Sequence, residues 1–321
     1  MAKYTAIGGQ ALIEGIMMKS PEKTAMAVRK PDNSIETVNV QWKSLREKYR
    51  FFRLPIIRGV VAYIESMVQG YKLMMQSAEI SGFADLEEEK DGDKKSSALI
   101  NAVMAVGSIL GVLLAVVLFL GVPRLAVSGI EWAFNIKINN ELVRSGIEQL
   151  IKLCVLVAYM WGVSFMSDIR RVFSYHGAEH KTIFCYEKGL PLTVENVKKQ
   201  KRFHPRCGTS FLILMIIVSV IVSTVVQMIF PEVYDIAWLW VIVKILMIPI
   251  ICGLGFEILR ACGKYDNLFT RIISAPGMWM QRITTKEPQD DMIEIAIAAL
   301  RACEPETPDV DRTVDEEECD E

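Results

Sequence analysis

The sequence predicts a mainly α-helical, polytopic membrane protein with about four transmembrane helices, a small N-terminal β-hairpin followed by an amphipathic helix, and cytoplasmic loops. Hydrophobic residues make up 51% of the 321 residues and the mean hydropathy is +0.28, whereas charged residues hold a near-normal 23%. The apolar residues are gathered into runs long enough to cross a bilayer. These observations argue against a purely soluble enzyme and indicate membrane spans joined by aqueous segments.

Residues 1–97 are expected to form a cytoplasmic N-terminal region. Thr24 to Lys30 and Ile35 to Val40 flank the turn-forming cluster Pro31-Asp-Asn-Ser34, which predicts a β-hairpin. Trp42 to Ile80 is helical in composition and has apolar residues spaced along one face, which predicts an amphipathic helix. That face fits either the membrane surface or another protein element, because spacing alone does not identify the partner.

Residues 98–260 are predicted to form the membrane domain. Two runs contain no charged residue and are long enough to cross the hydrocarbon core of a bilayer: Ala98 to Val122 and Gly208 to Pro231. A third run, Ile236 to Phe256, is interrupted by a single lysine. Ile147 to Ser167 is the weakest candidate, since its uncharged centre has 15 residues. We include it because an odd number of spans would place strongly basic loops on opposite sides of the membrane.

The distribution of basic residues predicts the orientation. The segment 168–207, between the second and third spans, carries nine Lys or Arg residues, whereas Pro231 to Asp235 carries none. We therefore expect the protein to lie in the inner membrane, with the loop 168–207 and both termini in the cytoplasm. The loop from Pro123 to Gly146 is then expected on the outer side. Residues 261–303 are then a cytoplasmic C-terminal region, ending in a short helix at Asp290 to Ala302, and the acidic tail 304–321 is expected to be disordered.

All three histidines of the chain fall in the predicted cytoplasmic loop. His176 and His180 stand one helical turn apart, which is the separation that two imidazoles need to share a metal ion. With Glu179 they form the pattern His-x-x-Glu-His of the inverted zinc-peptidase helix, in which the glutamate activates a metal-bound water. Glu179 is therefore the candidate catalytic general base.

His204 and Cys207 follow, separated by two residues in the manner of a zinc knuckle. If all four side chains bind zinc, the shell is closed and the metal is structural, whereas three ligands leave a position for a reactive water. The alternatives are that the histidines cap helices or bind lipid phosphates, and that Cys207 is a nucleophile or an inert thiol.

Other charged side chains give weaker signals. The basic run Lys198, Lys199, Lys201 and Arg202 predicts contact with anionic lipid head groups, and the absence of an aromatic platform argues against nucleic acid. Lys244 and Glu257 lie inside the fourth predicted span, where charged residues usually face the interior of a helix bundle. Lys244 fits snorkelling or a pair with a span-two glutamate, and Glu257 fits a metal contact or an ordinary pair with Arg260.

With these motifs assembled, the chain resembles the YqhQ family of bacterial membrane proteins. The resemblance is carried by four strings: Gly8-Gly-Gln-Ala-Leu-Ile-Glu-Gly-Ile-Met-Met-Lys-Ser-Pro21, Tyr175-His-Gly-Ala-Glu-His-Lys181, His204-Pro-Arg-Cys-Gly-Thr-Ser-Phe211 and Pro276-Gly-Met-Trp-Met-Gln-Arg-Ile-Thr-Thr285. It implies a multispanning inner-membrane protein, described as a predicted metal-dependent enzyme without an established substrate. It also adds Glu14 and Gly8-Gly9 as candidates, for which the ordinary interpretation is a tight turn before the hairpin.

The leading hypothesis is a zinc-dependent hydrolase that acts on a membrane peptide or a lipid head group. The rival is a non-enzymatic scaffold or assembly factor, in which a structural zinc site fixes the long loop and a membrane-protein partner carries the function. Transport is less favoured, because the order of the predicted elements contains no internal repeat.

Overall fold

The computed structural model describes residues 7–42, 44–83, 106–107, 109–204, 207–264 and 267–304. An antiparallel sheet of four strands opens the chain, and helices make up most of the rest. The strands are β1 (Gly8–Leu12), β2 (Gly15–Lys19), β3 (Thr24–Arg29) and β4 (Ile35–Asn39). The helices are α1 (Leu45–Lys48), α2 (Ile57–Ile80), α3 (Ile109–Ala133), α4 (Glu141–Val163), α5 (Ser167–Glu187), α6 (Val194–Lys198), α7 (Gly208–Ile229), α8 (Pro231–Asp235), α9 (Ala237–Lys264), α10 (Leu268–Thr284) and α11 (Asp290–Cys303).

The sheet is a meander in the order β1-β2-β3-β4, with Gly8 opposite Lys19 and Arg29 opposite Ile35 at its ends. The predicted hairpin is confirmed as β3 and β4. The two strands before it were missed, because they are short and begin with glycine, which weakens any strand pattern. Gly8 and Gly9 therefore lie within β1 rather than in a turn, and the reversal between β1 and β2 occurs at Glu14, where φ is 50°.

Side chains alternate across the sheet, so each face packs against different helices. On one face, Ile16 and Met18 join a core with α5 and α11. On the other face, Met17 and Met26 pack against Leu73 of α2. The sheet therefore lies between α2 on one side and α5 with α11 on the other, and this sandwich is what positions the candidate site.

Three helices among the described residues are long and apolar enough to cross a membrane: Ile109–Ala133, Val143–Val163 and Trp238–Ala261. A shorter apolar segment, Ile213–Ile229, belongs to α7, which packs against α9. These helices make the chain a membrane protein. Residues 98–105 of the first predicted span lie outside the described part of the chain, as do the charged linker 85–95 and the tail from residue 305 onward.

The predicted outer loop from Pro123 to Gly146 is wrong over its first part, because α3 continues through Pro123 to Ala133. A proline inside a helix lacks a donor and crowds the preceding turn. Here a π-helical turn at Val117–Gly121 directly precedes it and widens the backbone where the proline needs room.

The second predicted span and the helix that carries His176 and His180 are separate helices. Helix α4 ends at Val163, Met166 is extended with ψ 133°, and α5 begins as a separate helix at Ser167. The hydroxyl of Ser164 donates to the carbonyl of Trp161 at 2.7 Å, which satisfies a backbone acceptor at the end of α4. The chain can therefore turn here, and α5 leaves the apolar bundle.

The helix predicted over Trp42 to Ile80 begins only at Ile57, after α1 and a 3₁₀ turn at Arg50–Arg53. On its apolar face, Ile64 and Val68 are 55% and 43% exposed, so the described residues leave this part of the face uncovered. The buried strip of α2 instead includes Gly59, which approaches Gly253 of α9 so closely that a Cβ atom would lie 3.0 Å from it.

Next to this contact, Arg58 donates to both carboxylate oxygens of Glu257, at 2.6 and 2.5 Å. The direct partner of Glu257 is therefore Arg58 of α2, and not Arg260. This pair and the glycine contact fix the N-terminal region against a membrane-spanning helix.

The C-terminal region contains two helices. The predicted helix over Asp290 to Ala302 is confirmed as α11, whose apolar side is fully buried against the sheet and α5. Helix α10 was not predicted. It packs against α7 and ends at Thr284, beside the histidines.

Candidate metal centre

Helix α5 brings His176 and His180 together. The two residues are four apart on a helix, and their ring centroids lie 4.4 Å from each other. His180 is 1% exposed. Tyr175 is fully buried in the core that α5 shares with the sheet. It therefore holds in place the part of α5 that carries the two rings.

Both rings are oriented by backbone carbonyls. Nδ1 of His176 lies 2.9 Å from the carbonyl oxygen of Thr284, and Nδ1 of His180 lies 2.6 Å from that of Arg202. Because a carbonyl can only accept a hydrogen bond, each Nδ1 must carry the proton and donate it. The Nε2 atom of each neutral ring is then an unprotonated lone pair, which is the form that binds a metal.

Cys207 completes a group of three. Its Sγ atom lies 3.1 Å from Nε2 of His176, and the candidate ligand atoms of His176, His180 and Cys207 all lie within 4.8 Å of one another. Nε2 of His180 is buried and has no hydrogen-bond partner among the described residues. Burial lowers the pKa of His180 and so favours its neutral form. Two imidazole nitrogens and one thiol around a common point suit zinc, which takes nitrogen and sulfur ligands.

His204 lies beside this group but is not part of it. Its Nε2 atom is 3.6 Å from a carboxylate oxygen of Glu187, and its ring centroid is 5.7 Å from that of His180. Gln281 fixes its backbone through two hydrogen bonds, accepting from the N–H at 2.8 Å and donating to the carbonyl at 2.7 Å. Of the four predicted ligands, the structure therefore brings three together and turns the fourth toward an acid.

Glu179 is buried next to the same group. Its side chain is 5% exposed, and its Oε2 atom has no hydrogen-bond partner in the described part of the chain. Burial raises the pKa of this carboxyl to about 8, and the nearby Cys207 adds to the rise. His176 and a hydrogen bond from the backbone N–H of Gly9 lower the pKa, but by less than burial raises it.

The N-terminal strand explains part of this environment. A Cβ atom on Gly9 would lie 2.9 Å from the carboxyl carbon of Glu179 and 2.7 Å from the carbonyl oxygen of Met17, so only glycine fits there. Glu14, in the next turn, forms an ion pair with Arg171 and accepts from the hydroxyl of Tyr175 at 3.0 Å. Both residues of the N-terminal string thus act on α5, rather than serving only a turn.

Gly177 has a similar role between the two ligand histidines. The carbonyl oxygen of Lys286 would lie 2.0 Å from a Cβ atom at this position, because the chain after α10 crosses α5 there. The N–H of Lys286 donates to the carbonyl of Phe173 at 2.8 Å. The importance of Gly177, Gln281 and Thr284 was missed from the sequence. The available signals were a glycine inside a helix and the string from Pro276 to Thr285.

Two residues of the basic run beside the centre form ion pairs within the protein. Lys198 forms an ion pair with Asp290 at 2.7 Å, and Arg202 lies 3.4 Å from Glu287. Lys199 and Lys201 are exposed. Contact with lipid head groups therefore remains a prediction, most directly for these two lysines.

The apolar helices and the buried histidine and cysteine group define a membrane protein with a candidate metal site where the spans join the sheet region. Residues 54–306 match the model of a family described as "Protein of unknown function (DUF1385)". The chain is also 36% identical over 299 residues to "Uncharacterized protein YqhQ" of Bacillus subtilis (strain 168), covering 92% of this chain and 91% of that protein. The chain therefore belongs to the DUF1385 family, and it is a relative of YqhQ. No solved structure matches it.

Proposed function

We propose that this protein is a zinc-dependent hydrolase of the bacterial inner membrane, with His176, His180 and Cys207 as the metal ligands and Glu179 as the general base. One observation carries the proposal: two Nδ1–H groups are donated to fixed carbonyls, so both Nε2 lone pairs face the thiol of Cys207. Packing alone does not require one buried and one half-buried imidazole to share a tautomer and an orientation. Metal sites do require it, because the second nitrogen must be held by an outer partner.

The set of three ligands favours an open site over a closed one. His204 is held beside Glu187 and its backbone is fixed by Gln281, so it supports the loop without entering the ligand group. A zinc ion with three protein ligands keeps a fourth position for water or substrate, which is the arrangement of catalytic sites. When bound, zinc supplies a Lewis acid that polarises a carbonyl and makes a water easier to deprotonate.

The position of Glu179 supports its role as the base. Its carboxyl is buried beside His176 and Cys207, and one oxygen has no partner among the described residues. The N–H of Gly9 fixes the carboxyl. Burial raises the pKa of this carboxyl to about 8, and the positive charge of a bound zinc ion would favour its ionised form. The carboxylate would then take a proton from the attacking water and return it to the leaving group, so that no proton is consumed.

The surroundings of the site support a membrane-associated substrate. Cys207 directly precedes the apolar helix α7, and α5 follows directly after the apolar helix α4. A reacting group near these helix ends would lie at the depth of lipid head groups or of the end of a substrate helix. We place four spans in the bilayer, by counting α7 with the three longer helices, and the centre on the cytoplasmic side with both termini.

The proposal is tested on the purified full chain by elemental analysis and by absorption spectroscopy after cobalt substitution. We expect about one zinc per chain, a thiolate-to-cobalt charge-transfer band that disappears in Cys207→Ser, and a spectral change when azide occupies the open position. His204→Ala should keep the band and the metal. Loss of cobalt binding in His204→Ala, together with an anion-insensitive spectrum, would instead indicate a closed structural shell.

The catalytic role needs a separate test, because a structural metal would also bind the same ligands. Membranes from cells that produce the wild-type chain or Glu179→Gln are compared by mass spectrometry of new protein termini and of lipid head groups. We expect cleavage products that are absent from Glu179→Gln, although this variant binds one zinc and folds normally. Identical products from both would exclude Glu179 as the base and would favour the scaffold hypothesis.

A further inference from the structure

The membrane domain contains a second polar feature, far from the candidate metal centre. A cavity of about 270 Å³ lies between α4, α7 and α9, and its polar lining consists of Lys152, Lys244, Ser219 and Ser223. Ser223 comes 16 residues after Cys207 along α7, which is about 24 Å at the rise of an α-helix. The cavity therefore lies near the middle of the bundle, and it shares no lining residue with the metal site.

Lys152 lies too deep in its span for its side chain to reach the membrane surface by snorkelling. Lys152 is nine residues from one end of the apolar segment Val143–Val163 and eleven from the other, or about 14 and 16 Å. A lysine side chain spans roughly 6 Å, so its ammonium stays within the hydrocarbon depth. Neither lysine is exposed on the helix surface: both are half-buried, and Lys244 lies 5.4 Å from the ring of Trp240.

The charged groups that line the cavity are both cations. The charge of Glu148 acts on both lysines, the lysines repel each other, and Arg124 adds a further positive charge near Lys244. Lys152 and Lys244 both line the cavity, and no carboxylate is among the described residues that line it. Charged groups inside a membrane are costly unless they are paired, so two half-buried lysines in one cavity wall favour a bound anion.

The rest of the lining is apolar. Leu120, Met215 and Met247 are among the side chains that surround the lysines and serines. A small inorganic anion would leave these walls without a partner. An anion that carries a hydrocarbon chain satisfies both parts of the cavity, because its head pairs with the lysines and its chain lies against the apolar side chains.

We infer that this cavity binds the anionic head of an amphipathic molecule, a lipid phosphate or a fatty-acid carboxylate, between Lys152 and Lys244. The hydroxyls of Ser219 and Ser223 supply further donors to the oxygens of the anion. The inference does not depend on the proposed hydrolase, since the cavity shares no residue with the metal centre.

Native mass spectrometry of the detergent-solubilised full chain tests the inference, with phosphatidylglycerol, oleate, phosphatidylcholine and inorganic phosphate as separate probes. We expect one tight equivalent of phosphatidylglycerol or oleate, and the stronger of the two identifies the head group. Lys152→Met and Lys244→Met should each weaken this binding about tenfold or more, which corresponds to the loss of one charge-assisted contact of about 1.4 kcal/mol.

Lys137→Met is the matched control, because Lys137 is exposed outside the helices and its loss should leave binding unchanged. Lys152→Arg keeps the cation and should retain most of the affinity, which separates loss of charge from loss of fold. The inference is overturned if phosphatidylcholine or inorganic phosphate binds as tightly as phosphatidylglycerol and oleate, or if both methionine variants bind like the wild type.

Discussion

Replacing Gly177 with alanine tests how the candidate metal centre is built. The added Cβ atom would lie 2.0 Å from the carbonyl oxygen of Lys286, and a normal contact between these atoms needs at least about 3.2 Å. The backbone at Lys286 must therefore move by more than about 1 Å. Thr284, whose carbonyl orients His176, is only two residues away. The substitution should consequently disturb a metal ligand without altering any ligand side chain.

Two measurable effects follow from this geometry. Overpacking of this kind costs about 1–3 kcal/mol of unfolding free energy. Disturbing an outer partner of a metal-bound histidine typically weakens metal affinity by 10–100-fold. Both are measured on the purified chain in detergent, the first by chemical unfolding followed by circular dichroism and the second by competition with a zinc chelator.

Gly162→Ala is the matched control. Gly162 also lies inside a helix, but no atom lies within 4 Å of a Cβ atom built there. Alanine is the better helix former, so this variant should be neutral or slightly stabilising and should keep its metal. If Gly177→Ala matches Gly162→Ala in both stability and zinc affinity, the crossing of Lys286 over α5 does not control the centre.

Three further predictions concern the contacts that surround the centre. Gly9→Ala should lower stability by about 1–3 kcal/mol and displace Glu179, since its Cβ atom meets that carboxyl at 2.9 Å, whereas Gly8→Ala, with nothing within 4 Å, should have little effect on chemical unfolding. Glu257→Gln should cost about 1 kcal/mol in the same assay, because the pair with Arg58 is partly screened by solvent at 24–28% side-chain exposure, and an unchanged midpoint would show that the pair is dispensable. A fluorophore at Ile64, on the exposed apolar face of α2, should be quenched by lipid-attached nitroxides in nanodiscs more strongly than one at Ser66 on the opposite face, and equal quenching would rule out contact of this face with the bilayer.

The sequence allowed the membrane class, the β3–β4 hairpin and α11 to be predicted, because each depends on a local pattern of apolar residues. It did not allow β1, β2 or the end of α4 to be predicted. The first two strands pack through Leu12 of β1 and through Met17 and Met18 of β2, which lie on opposite faces of the sheet, and that packing has no local signature. At the end of α4 the only local sign is Ser164, a single hydroxyl within an apolar run that donates to the carbonyl of Trp161.

The candidate site shows the same division between local and distant information. The spacing of His176 and His180 follows from one helical turn, so it was readable from the sequence. The orientation of His204 was not, because it depends on Gln281, which is 77 residues away. Three histidines and a cysteine that look equivalent in the sequence can therefore differ in function, because distant residues decide how each side chain is oriented.

The contacts of α5 suggest why the family strings are spread over the whole chain. Each string supplies one constraint on this helix: Gly9 and Glu14 from the N-terminal strand region, Cys207 from the segment before α7, and Thr284 from the end of α10. The metal ligands and the base are thus held by different elements, with Glu179 against the sheet and His176 against α10. A change in the sheet should then affect the base without removing the metal, whereas a change at the end of α10 should affect the metal first. Gly9→Ala and Gly177→Ala separate these two effects, since metal affinity should fall in the second variant and be nearly unchanged in the first.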